Sequence, residues 1–143
     1  VKQLPEIVDG ATRLYGIVGD PITQVRSPEV ITAGFRAAGQ NALMVPIHVL
    51  PDGFEATMRG LMSVANLDGL VITVPYKARA AALVDRLHAT GERVGAINAM
   101  RREPDGAWSG DMFDGTGLVS GLRGHGFDFA GARVKMLGAG GAG

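Results

Sequence analysis

Lys77 stands two residues after Pro75, where the apolar run Leu70-Val71-Ile72-Thr73-Val74 gives way to a helical pattern. Open α/β sheets bind ligands at the carboxyl ends of their strands. An amine placed there can trade a proton with an alcohol oxygen as a hydride leaves or arrives at its carbon. Asp114 opens a second helical stretch and can pair with Lys77 while holding a substrate hydroxyl. Asn98 offers a polyol both a donor and an acceptor, or simply serves a turn. Ser27, just before Pro28, reads as a helix N-cap, and a helix N-terminus is also an anion site. Thr73 reads as a β-branched strand residue. Gly138, Gly140 and Gly143 satisfy G-x-G-x-x-G directly after an apolar stretch. That spacing lets backbone approach a pyrophosphate seated on the following helix. Neither such a helix nor a ribose-reading residue about 20 positions on lies within residues 1–143. The 143-residue chain alone is therefore expected to hold no dinucleotide and to be inactive.

The rest of the composition narrows the chemistry. There is no cysteine, so disulfides, thiolate metal sites and cysteine nucleophiles are excluded. His48, His88 and His125 show no metal-ligand spacing, and no metal is expected. Fourteen basic residues balance fourteen acidic ones, which argues against a nucleic-acid partner. No apolar run approaches the roughly 20 residues of a membrane span, and no signal-peptide pattern opens the chain. A cytoplasmic protein with a small-molecule partner is expected, as a monomer or homodimer. Twenty-two glycines in 143 residues is about twice the usual ~7%, without a collagen-like period. Tight turns of an α/β protein account for that excess.

The elements that must position these residues follow from the pattern. Residues 14–18, 43–50, 69–74, 94–101, 107–111 and 133–137 read as strands. Residues 27–38, 51–65, 76–87 and 114–124 read as helices, the last capped by Asp114. Pro46 suggests that its strand lies at a sheet edge, and Glu103-Pro104-Asp105-Gly106 predicts a turn between two strands. Met58, Leu61, Met62 and Trp108 read as packing residues, and Asp85, Arg86, Glu92 and Arg93 as a solvated helix face. The alternation predicts an α/β fold: a mainly parallel sheet with helices on both faces, followed by the first strand and glycine turn of a truncated Rossmann domain. A boundary is expected after Gly124, giving a catalytic, substrate-binding unit over 1–124. Residues 125–143 would then form a linker and the beginning of a dinucleotide-binding domain.

Four spaced segments carry a family resemblance. Gly19-Asp20-Pro21-Ile22 followed by Ser27-Pro28 resembles the N-terminal signature of shikimate dehydrogenases, a G-x-P-I segment before an S-x-S-P turn. Thr73-Val74-Pro75-Tyr76-Lys77 resembles their N-V-T-x-P-x-K segment, Gly95-Ala96-Ile97-Asn98 their G-A-x-N, and Gly110-Asp111-Met112-Phe113-Asp114-Gly115 their G-x-N-T-D-G. The resemblance runs from Leu14 onward and reaches the glycine-rich end where the family's cofactor domain begins. It implies an oxidoreductase that moves a hydride between NADP or NAD and a ring hydroxyl carbon of shikimate or a related cyclic hydroxy acid. Lys77 and Asp114 would be catalytic, and Ser27, Thr73 and Asn98 would bind substrate. Quinate dehydrogenase is the nearest alternative, and a non-catalytic ligand-binding module the alternative of another class. The chain also departs from the pattern. Val25 replaces the first serine, Val71 the first asparagine and Met112 the asparagine of G-x-N-T-D-G, with Phe113 in place of threonine. Unpaired polar groups cost ~1–3 kcal/mol each, so a pocket with these departures should reject the fully polar ligand by several kcal/mol. The resemblance with its departures implies a divergent member that turns over shikimate poorly.

Overall fold

A computed structural model describes residues 8–138. In chain order the elements are β1 (Arg13–Gly19), α1 (Ser27–Ala37), β2 (Ala42–His48), a 3-10 turn (Pro51–Gly53), α2 (Phe54–Met62), β3 (Leu67–Ile72), α3 (Lys77–Ala81), β4 (Arg86–Leu87), α4 (Ala89–Val94), β5 (Ala99–Arg102), β6 (Trp108–Asp111) and α5 (Asp114–Gly124). The strands form one six-stranded sheet in the order β2-β1-β3-β5-β6-β4. The pairs β1–β2, β1–β3 and β4–β6 are parallel, while β3–β5 and β5–β6 are antiparallel. The expected mainly parallel sheet is thus parallel in its β2-β1-β3 half and reversed by the β5–β6 hairpin. Pro46 indeed lies on an edge strand, where its missing N–H interrupts no ladder.

Helices cover both faces because side chains alternate along each strand. Tyr15 of β1 meets Phe35 of α1 with ring centroids 4.7 Å apart. Val18, on the opposite face of β1, joins Phe54 and Met58 of α2, Leu70 and Ile72 of β3, and Tyr76, Ile97, Met100 and Trp108 in the main core. Phe54, Met58, Tyr76 and Ile97 are fully buried. The Tyr76 hydroxyl donates to the Val49 carbonyl, so this aromatic anchors the β3–α3 connection beneath the end of β2.

Four expectations need correction. The helix predicted over 76–87 is only α3, five residues long. Beyond it, Asp85 N donates to the Trp108 carbonyl and His88 N to that of Gly110, so the chain joins the sheet as β4 against β6. Asp85 and Arg86 are therefore sheet-edge residues: the Asp85 carboxylate accepts from Trp108 N, and Arg86 pairs with Asp105. The strand predicted from residue 94 starts at Ala99, because 89–94 form α4, ended by Gly95 in the left-handed region (φ 69°). Neither Ser27 nor Asp114 is an N-cap; each is the first helical residue, after Arg26 and Phe113, and neither helix has a side-chain cap. Finally, residues 133–137 form no strand, having no ladder partner among the described residues. No helix among the described residues is long and apolar enough to cross a membrane.

Candidate active site

The carboxyl ends of β1, β2 and β3 lie along one edge of the sheet. The β5–β6 hairpin brings the start of β5 and the end of β6 to the same edge, because β5 runs antiparallel to β3. Three chain passages meet there. The β3–α3 connection is held to β1 by Thr73 N donating to the Val18 carbonyl (2.9 Å) and by Asp20 N donating to the Val74 carbonyl (3.0 Å). Ile97 N donates to the Lys77 carbonyl at 3.0 Å, and Asn98 N to the Asp111 carbonyl at 3.1 Å. Ile72 N donates to the Asn98 carbonyl at 2.7 Å, which closes the backbone around the site. Gly19 is required at one point: a Cβ there would overlap the Thr73 methyl and lie 3.0 Å from the Val74 carbonyl oxygen.

On this frame three of the predicted side chains form a connected set. Lys77 Nζ is 2.6 Å from Asp114 Oδ2. Asn98 Nδ2 donates to Asp114 Oδ1 at 2.5 Å, and Asn98 Oδ1 accepts from Phe113 N at 2.9 Å. Asn98 therefore orients the carboxylate and also pins the turn that delivers it. The Lys77 side chain is only 11% exposed, whereas that of Asp114 is 49% exposed. A hydroxyl arriving from solvent thus finds the carboxylate open, with an ammonium directly behind it. Such a pair can fix an alcohol oxygen and pass a proton to or from it.

Thr73 and Ser27 lie on the same edge, at the end of β3 and the start of α1, but among the described residues neither side chain is hydrogen-bonded to the trio. The departures scatter more widely. Val71, half-buried, stands between its register partners Ile17 and Ala99, on the same face of the sheet as Tyr15. Met112 is buried. Val25 lines a separate hollow of about 320 Å³ with Ile22, Thr23, Pro28, Glu29 and Pro46. Gly138 has φ 90°, while Gly140 and Gly143 lie outside the described residues. With no strand before Gly138, the described residues do not build a dinucleotide cradle.

The sequence reading missed a further pair on this edge: His48 Nε2 lies 2.7 Å from Asp20 Oδ1. A lone histidine at a strand end carries no spacing signal, and only the β1–β2 register brings it to Asp20.

Residues 17–100 match the family described as shikimate dehydrogenase substrate binding domain. The chain belongs to the shikimate dehydrogenase family. It is 38% identical over 135 residues to the shikimate dehydrogenase (NADP(+)) of Rubrobacter xylanophilus, covering 94% of this chain and 47% of that protein. It is 39% identical over 136 residues to that of an Anaeromyxobacter strain, covering 95% and 48%. The chain thus spans about half the length of the curated relatives it matches. Among solved structures it resembles the shikimate 5-dehydrogenase of Listeria monocytogenes in complex with shikimate and NAD (TM-score 0.80, 28% identity, 87% of this chain and 43% of that one). It also resembles an Ael1 enzyme from Pseudomonas putida (TM-score 0.82, 33% identity, 92% and 48%). The family match over residues 17–100 includes Lys77 and Asn98 and ends before Asp114.

Proposed function

We propose that this chain is the substrate-binding part of an oxidoreductase acting on a ring hydroxyl of shikimate or a related cyclic hydroxy acid. Residues 1–124 form that part, and 125–143 lead into a dinucleotide-binding domain. The observation that carries the reading is the Lys77–Asp114–Asn98 set, with its enclosed ammonium and open carboxylate. Asp114 accepts the reacting hydroxyl, and Asn98 holds Asp114 in place. In the direction of alcohol formation the Lys77 ammonium gives its proton to the oxygen, and in the reverse direction the neutral amine takes it back. Ser27 and Thr73 bind the remainder of the ring acid, Ser27 from the first turn of α1. The relatives named NADP(+)-dependent support a nicotinamide nucleotide as partner, which would exchange hydride with the ring carbon when bound.

Val71 and Met112 stand where the family pattern has asparagines, so the favoured substrate carries fewer ring hydroxyls than shikimate. The test is a panel of shikimate, quinate and less hydroxylated ring acids, with NADP and NAD, on the complete gene product. Turnover of a less hydroxylated acid above that of shikimate is expected. Restoring Val71→Asn should lower the KM for shikimate with little change in kcat. Shikimate turned over best of the panel by the unaltered protein would overturn the substrate assignment. No turnover of any ring acid with either cofactor would overturn the function itself.

A further inference from the structure

We infer that His48 is a positioning residue for the proposed reaction, holding Asp20 and with it the loop that delivers Ser27; the inference rests on the function proposed above. Gly19 and His48 are register partners at the ends of the adjacent parallel strands β1 and β2. Asp20, one residue on, returns its carboxylate across the strand ends to His48 Nε2 at 2.7 Å. A carboxylate of this kind only accepts, so the Nε2 atom carries the proton. Asp20 is therefore held twice: by its backbone N–H on the Val74 carbonyl, within the segment that leads to Lys77, and by its side chain on β2.

The loop from Asp20 to Arg26 begins at this anchor and ends at Ser27, the first residue of α1. Its internal bonds are local: Gln24 Nε2 donates to the Pro21 carbonyl, and Val25 N to that of Ile22. Those bonds shape the loop, and the buried Ile22 packs it beside the end of β1. The His48–Asp20 bond adds a directional tie to β2 at the loop's start, beside the strand end against which Thr73 packs. His48 itself is half exposed and takes no part in the main core, so its removal leaves the packing intact. The result of losing this bond is a looser Ser27, felt in substrate binding and not in proton transfer.

The experiment compares His48→Ala and His48→Gln in the complete gene product; glutamine can still present an N–H to Asp20. His48→Ala should raise KM for the ring acid by about 3- to 10-fold with kcat unchanged, as expected when one charge-assisted bond supporting binding is lost. His48→Gln should restore the KM. Independently of activity, hydrogen exchange of peptides spanning residues 20–28 should quicken in His48→Ala and return to the parent rate in His48→Gln. An unchanged KM in His48→Ala, a fall confined to kcat, or unchanged exchange in 20–28 would each overturn the inference. A parent protein that turns over no ring acid would sink the functional reading, and the exchange comparison would still decide whether His48 holds the loop.

Discussion

Lys77 and Asp114 are bound to each other, and the asymmetry of their exposure says what each can lose. Asp114 is half open, so water can replace the ammonium if Lys77 is truncated, and Asn98 still donates to the carboxylate. The stability lost with the ion pair is then small, about 1 kcal/mol or less for a pair this open on one side. Lys77→Ala should accordingly leave the thermal midpoint within a few degrees of the parent. Turnover of any ring acid should fall by ~10²–10⁴-fold, the range for a missing general acid–base. A thermal scan beside steady-state kinetics separates the two; a variant with parent turnover would remove Lys77 from the chemistry. Asn98→Ala acts differently, because it frees both the Phe113 N–H and one oxygen of Asp114. The carboxylate becomes mobile while the amine remains, so KM should rise more than kcat falls.

The elements place these side chains through backbone bonds at one sheet edge, and the tightest of these contacts is the approach of Gly19 to Thr73. Gly19→Ala inserts a methyl where the Thr73 methyl already sits, with the Val74 carbonyl oxygen 3.0 Å away. Overpacking of this kind costs roughly 1–3 kcal/mol. The lower denaturant midpoint should be partly recovered by Thr73→Ser, which removes the opposing methyl. At the opposite edge, Arg13 of β1 donates from Nε to Asp68 of β3 at 2.8 Å and forms a second bond to the same carboxylate. The Arg13 hydrogen bonds hold the Asp68 carboxyl below the usual carboxylate range. A depressed folded value means stability fully present above the unfolded value of about 4 and lost as pH falls through the lower folded value. Asp68→Asn should therefore flatten the fall in urea midpoint between pH 5 and the acid range, while a fall as steep as the parent's would discount the pair.

Legibility in the sequence varied along the chain for physical reasons. α1 and α5 could be placed from their starts, Ser27-Pro28 and Asp114, and β1 and β2 from short apolar runs ended by Gly19-Asp20-Pro21 and Pro51. The stretch 78–87 could not, because Ala78 to Val84 favours helix locally while the free edge of β6 recruits residues 85–88 into the sheet. Tertiary hydrogen bonding overrides propensity there. Lys77, Asn98 and Asp114 were legible because each sits at an element boundary inside a spaced motif. His48 was not, since its partner is 28 residues away and reached only through strand register.

At the scale of the whole molecule, the sheet edge that carries Lys77, Asn98 and Asp114 is complete in backbone, whereas no strand leads into Gly138 among the described residues. α5 leaves the sheet with Leu118 and Leu122 exposed, and residues 125–138 follow it without a strand or a ladder partner. A dinucleotide site of the Rossmann kind needs a strand, a glycine turn and a helix N-terminus whose N–H groups face the pyrophosphate. Of these, only Gly138, with φ 90°, is present in the described chain. The prediction is that a polypeptide of residues 1–143, titrated calorimetrically with NADP and NADPH, gives no saturable heat. Its sheet should still be folded, because the main core of Val18, Phe54, Met58, Leu70, Tyr76 and Ile97 closes entirely within β1–β6 and their helices. A cooperative urea transition would establish that folding and make the calorimetric result informative. Micromolar binding of either nucleotide by such a folded polypeptide would put a nucleotide site within residues 1–143 and overturn the proposed assignment of nucleotide binding to a domain that follows.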